Sequence, residues 1–172
     1  MNKRGQISVE YIMIISIAML ILLPGAYLMR NYVFESSDAL LTNRLGEISN
    51  ELLAKSRKMY YYGPPSKSTI IVEMPDQISS MYILSVPDND EYYLAFNIIT
   101  SRGEDEIYYD SEVALNASEV VNCNFACQEG AQCDCFPERY YSEGIKNFRV
   151  EAIEDNGKYY VSIAEISPEM IE

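Results

Sequence analysis

Cys123, Cys127, Cys133 and Cys135 stand within thirteen residues, spaced C-x3-C-x5-C-x-C. Thiols clustered in an even number either oxidise to disulfides or, as thiolates, hold a soft metal. Four-thiolate metal sites are built from paired hooks of the C-x2-C kind, and this spacing has neither. The reading is therefore two disulfides and no metal. Cys133 and Cys135 are too close in sequence to bridge each other comfortably. Two pairings stay open: Cys123–Cys133 with Cys127–Cys135, or Cys123–Cys135 with Cys127–Cys133. Either staples a loop rich in Asn, Gln and Gly that has little apolar content of its own.

Other reactive groups are scarce. The chain has no histidine, which removes the commonest general base and the commonest metal ligand. It has no G-x-S-x-G, no glycine-rich phosphate loop and no EF-hand spacing. Carboxylate pairs of the glycosidase kind exist in principle, but an acidic surface produces such pairs by default. The sequence thus predicts no catalytic residues, no cofactor and no enzyme. Asn116-Ala117-Ser118 forms an N-glycosylation sequon.

One carboxylate is out of place. Residues 7–29 form an apolar run whose single charged side chain is Glu10. A charge in a membrane segment costs about 2.5–3.5 kcal/mol at the helix centre and less toward the edge, unless it is paired or reaches the interface. The run is about long enough to cross a hydrocarbon core of ~30 Å as a helix. Lys3 and Arg4 precede it, so the positive-inside rule puts the N-terminus in the cytoplasm and the residues after Arg30 outside. No A-x-A-like cleavage site comes after it, so the segment reads as a retained anchor. The exported side permits disulfides. Charge respects the same division: residues 68–172 hold 21 Asp+Glu against 5 Lys+Arg, and residues 30–67 hold 4 against 6. The acidic distal part argues against nucleic acid or anionic lipid as its partner.

These groups need a stem and a head to position them. From Gln6 to about Tyr62 the pattern predicts one helix of roughly 55 residues, ~80 Å at the α-helical rise. Phe34, Leu41, Leu45, Ile48, Leu52 and Met59 recur at spacings of 7, 4, 3, 4 and 7, one stripe that can pack on a globular partner. Pro24-Gly25 lies in the apolar half, as an ordinary kink or as a melted segment that lets the stem bend. Gly63-Pro64-Pro65 ends the helix. Beyond residue 67, runs at 69–74, 81–86, 91–99 and 107–115 read as strands. A hairpin closes the series: Phe148, Val150 and Ala152 share a face, Asp155-Asn156-Gly157 turns, and Tyr159, Val161 and Ile163 alternate after it. The fold class is α+β: a long N-terminal helix, then five or six antiparallel strands in a small sheet or sandwich with a disulfide-stapled loop. Fifteen tyrosines, many in doublets, suit strands in which one ring of each doublet faces the core and the other faces out; strand propensity and core filling account for them, with subunit or sugar contacts by the outer rings as the alternative.

The N-terminal residues carry a family resemblance. Lys3-Arg4-Gly5 followed by Gln6-Ile7-Ser8-Val9-Glu10-Tyr11 resembles the class III signal peptide of archaeal type IV pilin-like proteins, Q-x-S-x-E-[FY], matched at Gln6, Ser8, Glu10 and Tyr11. It covers about the first thirty residues and the stem-and-head layout; the head brings no match of its own. The resemblance implies a prepilin peptidase that cuts between Gly5 and Gln6 at the cytoplasmic face and keeps the apolar helix. Glu10 then neutralises the N-terminal amine of a neighbouring subunit and sets axial register. The implied divisions are a cleaved stub (1–5), a membrane and filament-core helix (6–30), an amphipathic helix packing on the head (31–62) and an extracellular antiparallel β domain (66–172). The implied partners are other copies of the chain in a filament, the peptidase, the pilus assembly platform with its ATPase machinery, and the membrane before assembly. The expected function is a structural subunit of a pilus-like surface filament, with the stapled head favouring a minor one. The alternatives are a single-pass surface binding protein that never polymerises and a membrane-anchored enzyme.

Overall fold

The computed structural model describes residues 3–127, 130–155 and 157–166, and for residues 3–8 and 31 the backbone alone. One helix, α1 (Lys3–Tyr62), opens the chain. The chain divides into two compact units, Met1–Leu40 and Leu41–Glu172.

In the first unit, every described side chain from Val9 to Leu40 is exposed except the half-buried Asp38. The helix runs unbroken through Pro24 and Gly25, so the melted alternative is not the conformation adopted. Proline has no N–H to give, which leaves the Leu20 carbonyl without its usual partner. Ser16 Oγ donates to the Ile12 carbonyl at 2.8 Å, which satisfies a polar group on an otherwise apolar segment. Phe34, expected on the packing stripe, is 44% exposed, with the Arg30 guanidinium 5.5 Å over its ring. The buried stripe begins seven residues later, at Leu41.

In the second unit, Leu41, Leu45, Ile48, Leu52 and Met59 of α1 are buried as the spacing predicts, while Asn43, Glu47, Asn50 and Lys58 are exposed. Gly63, at φ 72°, takes the left-handed turn after the last helical residue. Its N–H donates to the carbonyls of Met59 and Tyr60 at 3.1 and 3.2 Å, the usual closure of a helix by glycine.

Eight strands come next: β1 (Lys67–Met74), β2 (Ile78–Val86), β3 (Glu91–Thr100), β4 (Gly103–Ser111), β5 (Leu115–Ala117), β6 (Gln132–Cys135), β7 (Gly144–Asp155) and β8 (Lys158–Glu165). A short helix, α2 (Glu138–Tyr141), precedes β7. They form two four-stranded sheets, ordered β1-β7-β8-β5 and β4-β3-β2-β6. The α1 stripe shares one core with both sheets: Ile70, Phe148 and Val161 from the first, Met81, Leu94 and Phe96 from the second. Burying side chains of this size contributes roughly 1.5–3 kcal/mol each.

Four further expectations need correction. The described residues form eight strands rather than five or six. The run at 107–115 is not one strand. Ser111 Oγ donates to the Val113 carbonyl at 2.8 Å, and this local turn ends β4 and sends β5 to the other sheet, where it pairs parallel to β8. Tyr159, placed on the inner face of the last hairpin, is 48% exposed. It sits opposite Glu154 near the turn, where the sheet outruns the core. The tyrosine doublets do not split uniformly: Tyr92 and Tyr93 are both half-buried, because a second layer covers the outer face of β3. The turn residue Asn156 lies outside the described residues.

Candidate functional site

Two regions carry the residues singled out by sequence. The first is the start of α1. Its backbone is helical from Lys3, so Lys3, Arg4, Gly5, Gln6 and Ser8 lie on helical backbone, and their side chains are outside the described residues. Glu10 and Tyr11 are exposed. From Val9 on, α1 is long and apolar enough to cross a membrane. An apolar surface of this extent has to be covered, by lipid or by other apolar helices.

The second region is the cysteine loop. The disulfides are Cys123–Cys135 and Cys127–Cys133, with Cα separations of 5.4 and 5.9 Å. Strand register selects this pairing from the two that spacing allowed. β6 lies antiparallel to β2, placing Cys135 opposite Tyr82 and Cys133 opposite Leu84. A single bridge from Val121 to Cys135, through a 2.9 Å N–H to carbonyl bond, brings the Cys123 end of the loop alongside. The loop then nests inward, Cys127 to Cys133.

The stapled loop forms a small core of its own. Tyr82, Leu84, Ala95 and Cys135 are buried together, and Tyr93, Phe125 and Ala131 pack on them. The Tyr82 and Phe125 ring centroids are 4.8 Å apart. The Tyr82 hydroxyl donates to Glu106 at 3.4 Å, and the Tyr108 hydroxyl donates to the same carboxylate at 2.6 Å. Burial first, then Tyr108 and Glu106, push the Tyr82 phenol far above its ordinary value. The loop is thus a lid on the outer face of the second sheet.

Protein-family models, curated proteins and solved structures offer no match to this chain.

Among the described residues, no three His, Cys, Asp or Glu side chains converge as metal ligands, and all four thiols are consumed in disulfides. Asn116 lies within β5, opposite Ser162, rather than in the open connection expected for a sequon. It is half-buried, and the hydroxyl of Ser118 is 2.9 Å from that of Tyr140. Ion pairs tie the head together: Arg139 bonds Glu119 and lies 3.5 Å from Glu165, which also meets Lys146 at 3.8 Å. Sequence reasoning missed Ser80 and Asn97, a facing polar pair on β2 and β3. The signal was there: Asn97 is a lone amide inside the run Tyr-Tyr-Leu-Ala-Phe-Asn-Ile-Ile, where an apolar side chain would be cheaper.

Proposed function

We propose that the chain is a structural subunit, of minor or specialised type, in an archaeal type IV pilus-like surface filament. A prepilin peptidase clips it between Gly5 and Gln6 while its apolar helix is held in the membrane. The assembly platform and its ATPase then extract that helix into a filament core, where Glu10 meets the new N-terminal amine of a neighbour. The acidic, disulfide-stapled head is left on the outside of the cell. The role is self-association rather than catalysis.

The observation that supports this most is the position of Glu10. This one carboxylate stands at the start of an apolar helical surface whose described side chains are exposed from Val9 through Ser37. In a lipid anchor alone that charge sits solvated at the headgroup level, favoured by the helix N-terminus, and does nothing further. A bundle of sister helices, each presenting a positive terminus, gives it a partner and a register.

Glu10→Ala should abolish filaments seen by electron microscopy of producing cells while leaving the protein expressed and membrane-inserted. Filaments unchanged in number and length would favour the non-polymerising, single-pass surface binding protein.

A further inference from the structure

A cavity of about 340 Å3 opens on the outer face of β2, β3 and β4. Leu84 and Val86 of β2 line it with aliphatic surface, Tyr93 of β3 and Tyr108 of β4 with aromatic rings, and Glu91 with one carboxylate. Strand register sets these groups together. Leu84 and Asp110 flank Tyr93 on the neighbouring strands. Tyr108 stands two residues from Asp110 on β4, which makes the two tyrosines diagonal neighbours on one face. Tyr93 is half-buried, and Tyr108 and Glu91 are exposed, so a molecule in the cavity can touch all three. Each phenol donates its proton to a carboxylate, Tyr93 to Glu91 at 3.2 Å and Tyr108 to Glu106 at 2.6 Å. Those bonds leave the rings, rather than the hydroxyl protons, as what the two tyrosines present to a ligand.

Charge selects the ligand. No Lys or Arg is among the described lining residues. Residues 68–137, which supply the whole second sheet and the cysteine loop, hold thirteen Asp+Glu against one basic residue, Arg102. An anion finds no counter-charge in such a field. A metal ion finds too few ligands, since no three carboxylates converge among the described residues. The bond to Glu91, then burial and the charges of Glu91 and Asp110, raise the Tyr93 phenol above its ordinary value, as expected where the local field favours positive charge. A cation with an apolar body uses every part of the lining. Ring faces attract the charge, the carboxylate neutralises it, and Leu84 and Val86 cover the carbon. We infer that this cavity binds an organic cation, an alkylammonium group held over Tyr93 and Tyr108 with Glu91 as its counter-ion. The inference stands whether or not the chain polymerises.

The test uses the full chain in maltoside micelles, since zwitterionic detergents carry an ammonium group of their own and would compete. One arm titrates choline and spermidine by saturation-transfer NMR, as free amines. The other titrates N-acetyl-lysine methylamide, as the lysine side chain of another polypeptide. The neutral tert-butyl isostere of choline is the control. Binding in at least one arm is expected, with the isostere held about 5-fold or more weakly than choline. Tyr108→Ala and Glu91→Gln should each weaken the bound cation about 3-fold or more. Both side chains are exposed, so the two variants keep the fold. Silence in both arms, equal binding of the isostere, or binding indifferent to Tyr108→Ala or to Glu91→Gln, as a diffuse acidic field would give, overturns the assignment.

Discussion

Leu20 and Leu52 are the same side chain on the same helix, yet Leu20 is 74% exposed and Leu52 is fully buried. The difference lies in their neighbours. Around Leu52 the apolar residues recur on one stripe, and Asn50, Glu51 and Lys58 stand off it, exposed. Such a helix has a dry side and a wet side, and its dry side meets partners within the same chain. Around Leu20 the residues are apolar on all sides, so no face is left for water. A segment like that takes its partners from outside the chain, lipid or other helices. One helix thus serves two kinds of contact, and the sequence period separates them.

The contrast can be broken most forcefully at those two leucines. Leu52→Ala should lower head stability by about 2–5 kcal/mol, the cost of a core cavity. Leu20→Ala should leave it within about 0.5 kcal/mol. Guanidinium unfolding of the full chain in micelles, followed by tyrosine fluorescence, reads both, since the chain has fifteen tyrosines and no tryptophan. Equal effects at the two sites would mean that the apolar half also supports the head.

The next perturbation is confined to the head. Replacing Cys123 and Cys135 together by alanine should cost about 2–4 kcal/mol in the same unfolding experiment. It should leave the helicity of the apolar segment unchanged by circular dichroism, because the bridge joins only the loop and β6. A loss of helix in step with the head would contradict the division into two units.

A smaller effect is expected at high pH. Burial raises the phenols of Tyr82, Tyr109 and Tyr141 above their ordinary value of 10.0. In the unfolded chain these groups lose protons from about pH 10, while in the folded head they keep them. The stabilisation is whole below that pH and is lost as pH rises toward the folded values. The unfolding midpoint should therefore fall between about pH 9 and about pH 11. A flat midpoint would show that these rings are not held in the protonated form.

Much of the head was legible because its signals are local. The β7–β8 hairpin follows from Phe148, Val150 and Ala152 before the turn and Val161 and Ile163 after it, all buried, and the end of α1 from Gly63. The cysteine spacing limits the bridges to two sets, but choosing between them needs the register of β6 on β2, which no local spacing contains. The same holds for β5. Ile107, Tyr109, Val113 and Leu115 keep one period across the break, and only the Ser111 turn and a parallel partner more than forty residues away separate the strands. Phe34 matched the stripe by arithmetic, but burial also requires something opposite it. The Ser80–Asn97 pair escaped notice because each is ordinary alone; only the register of β2 on β3 sets them opposite one another.

The central claim is that the first helix becomes an assembly element once its stub is removed. N-terminal sequencing of the protein recovered from the cell surface tests this most directly. The account predicts a mature chain that begins at Gln6, with Glu10 as its fifth residue. A surface protein that still begins at Met1 or Asn2, or one cut anywhere beyond Glu10, would contradict it.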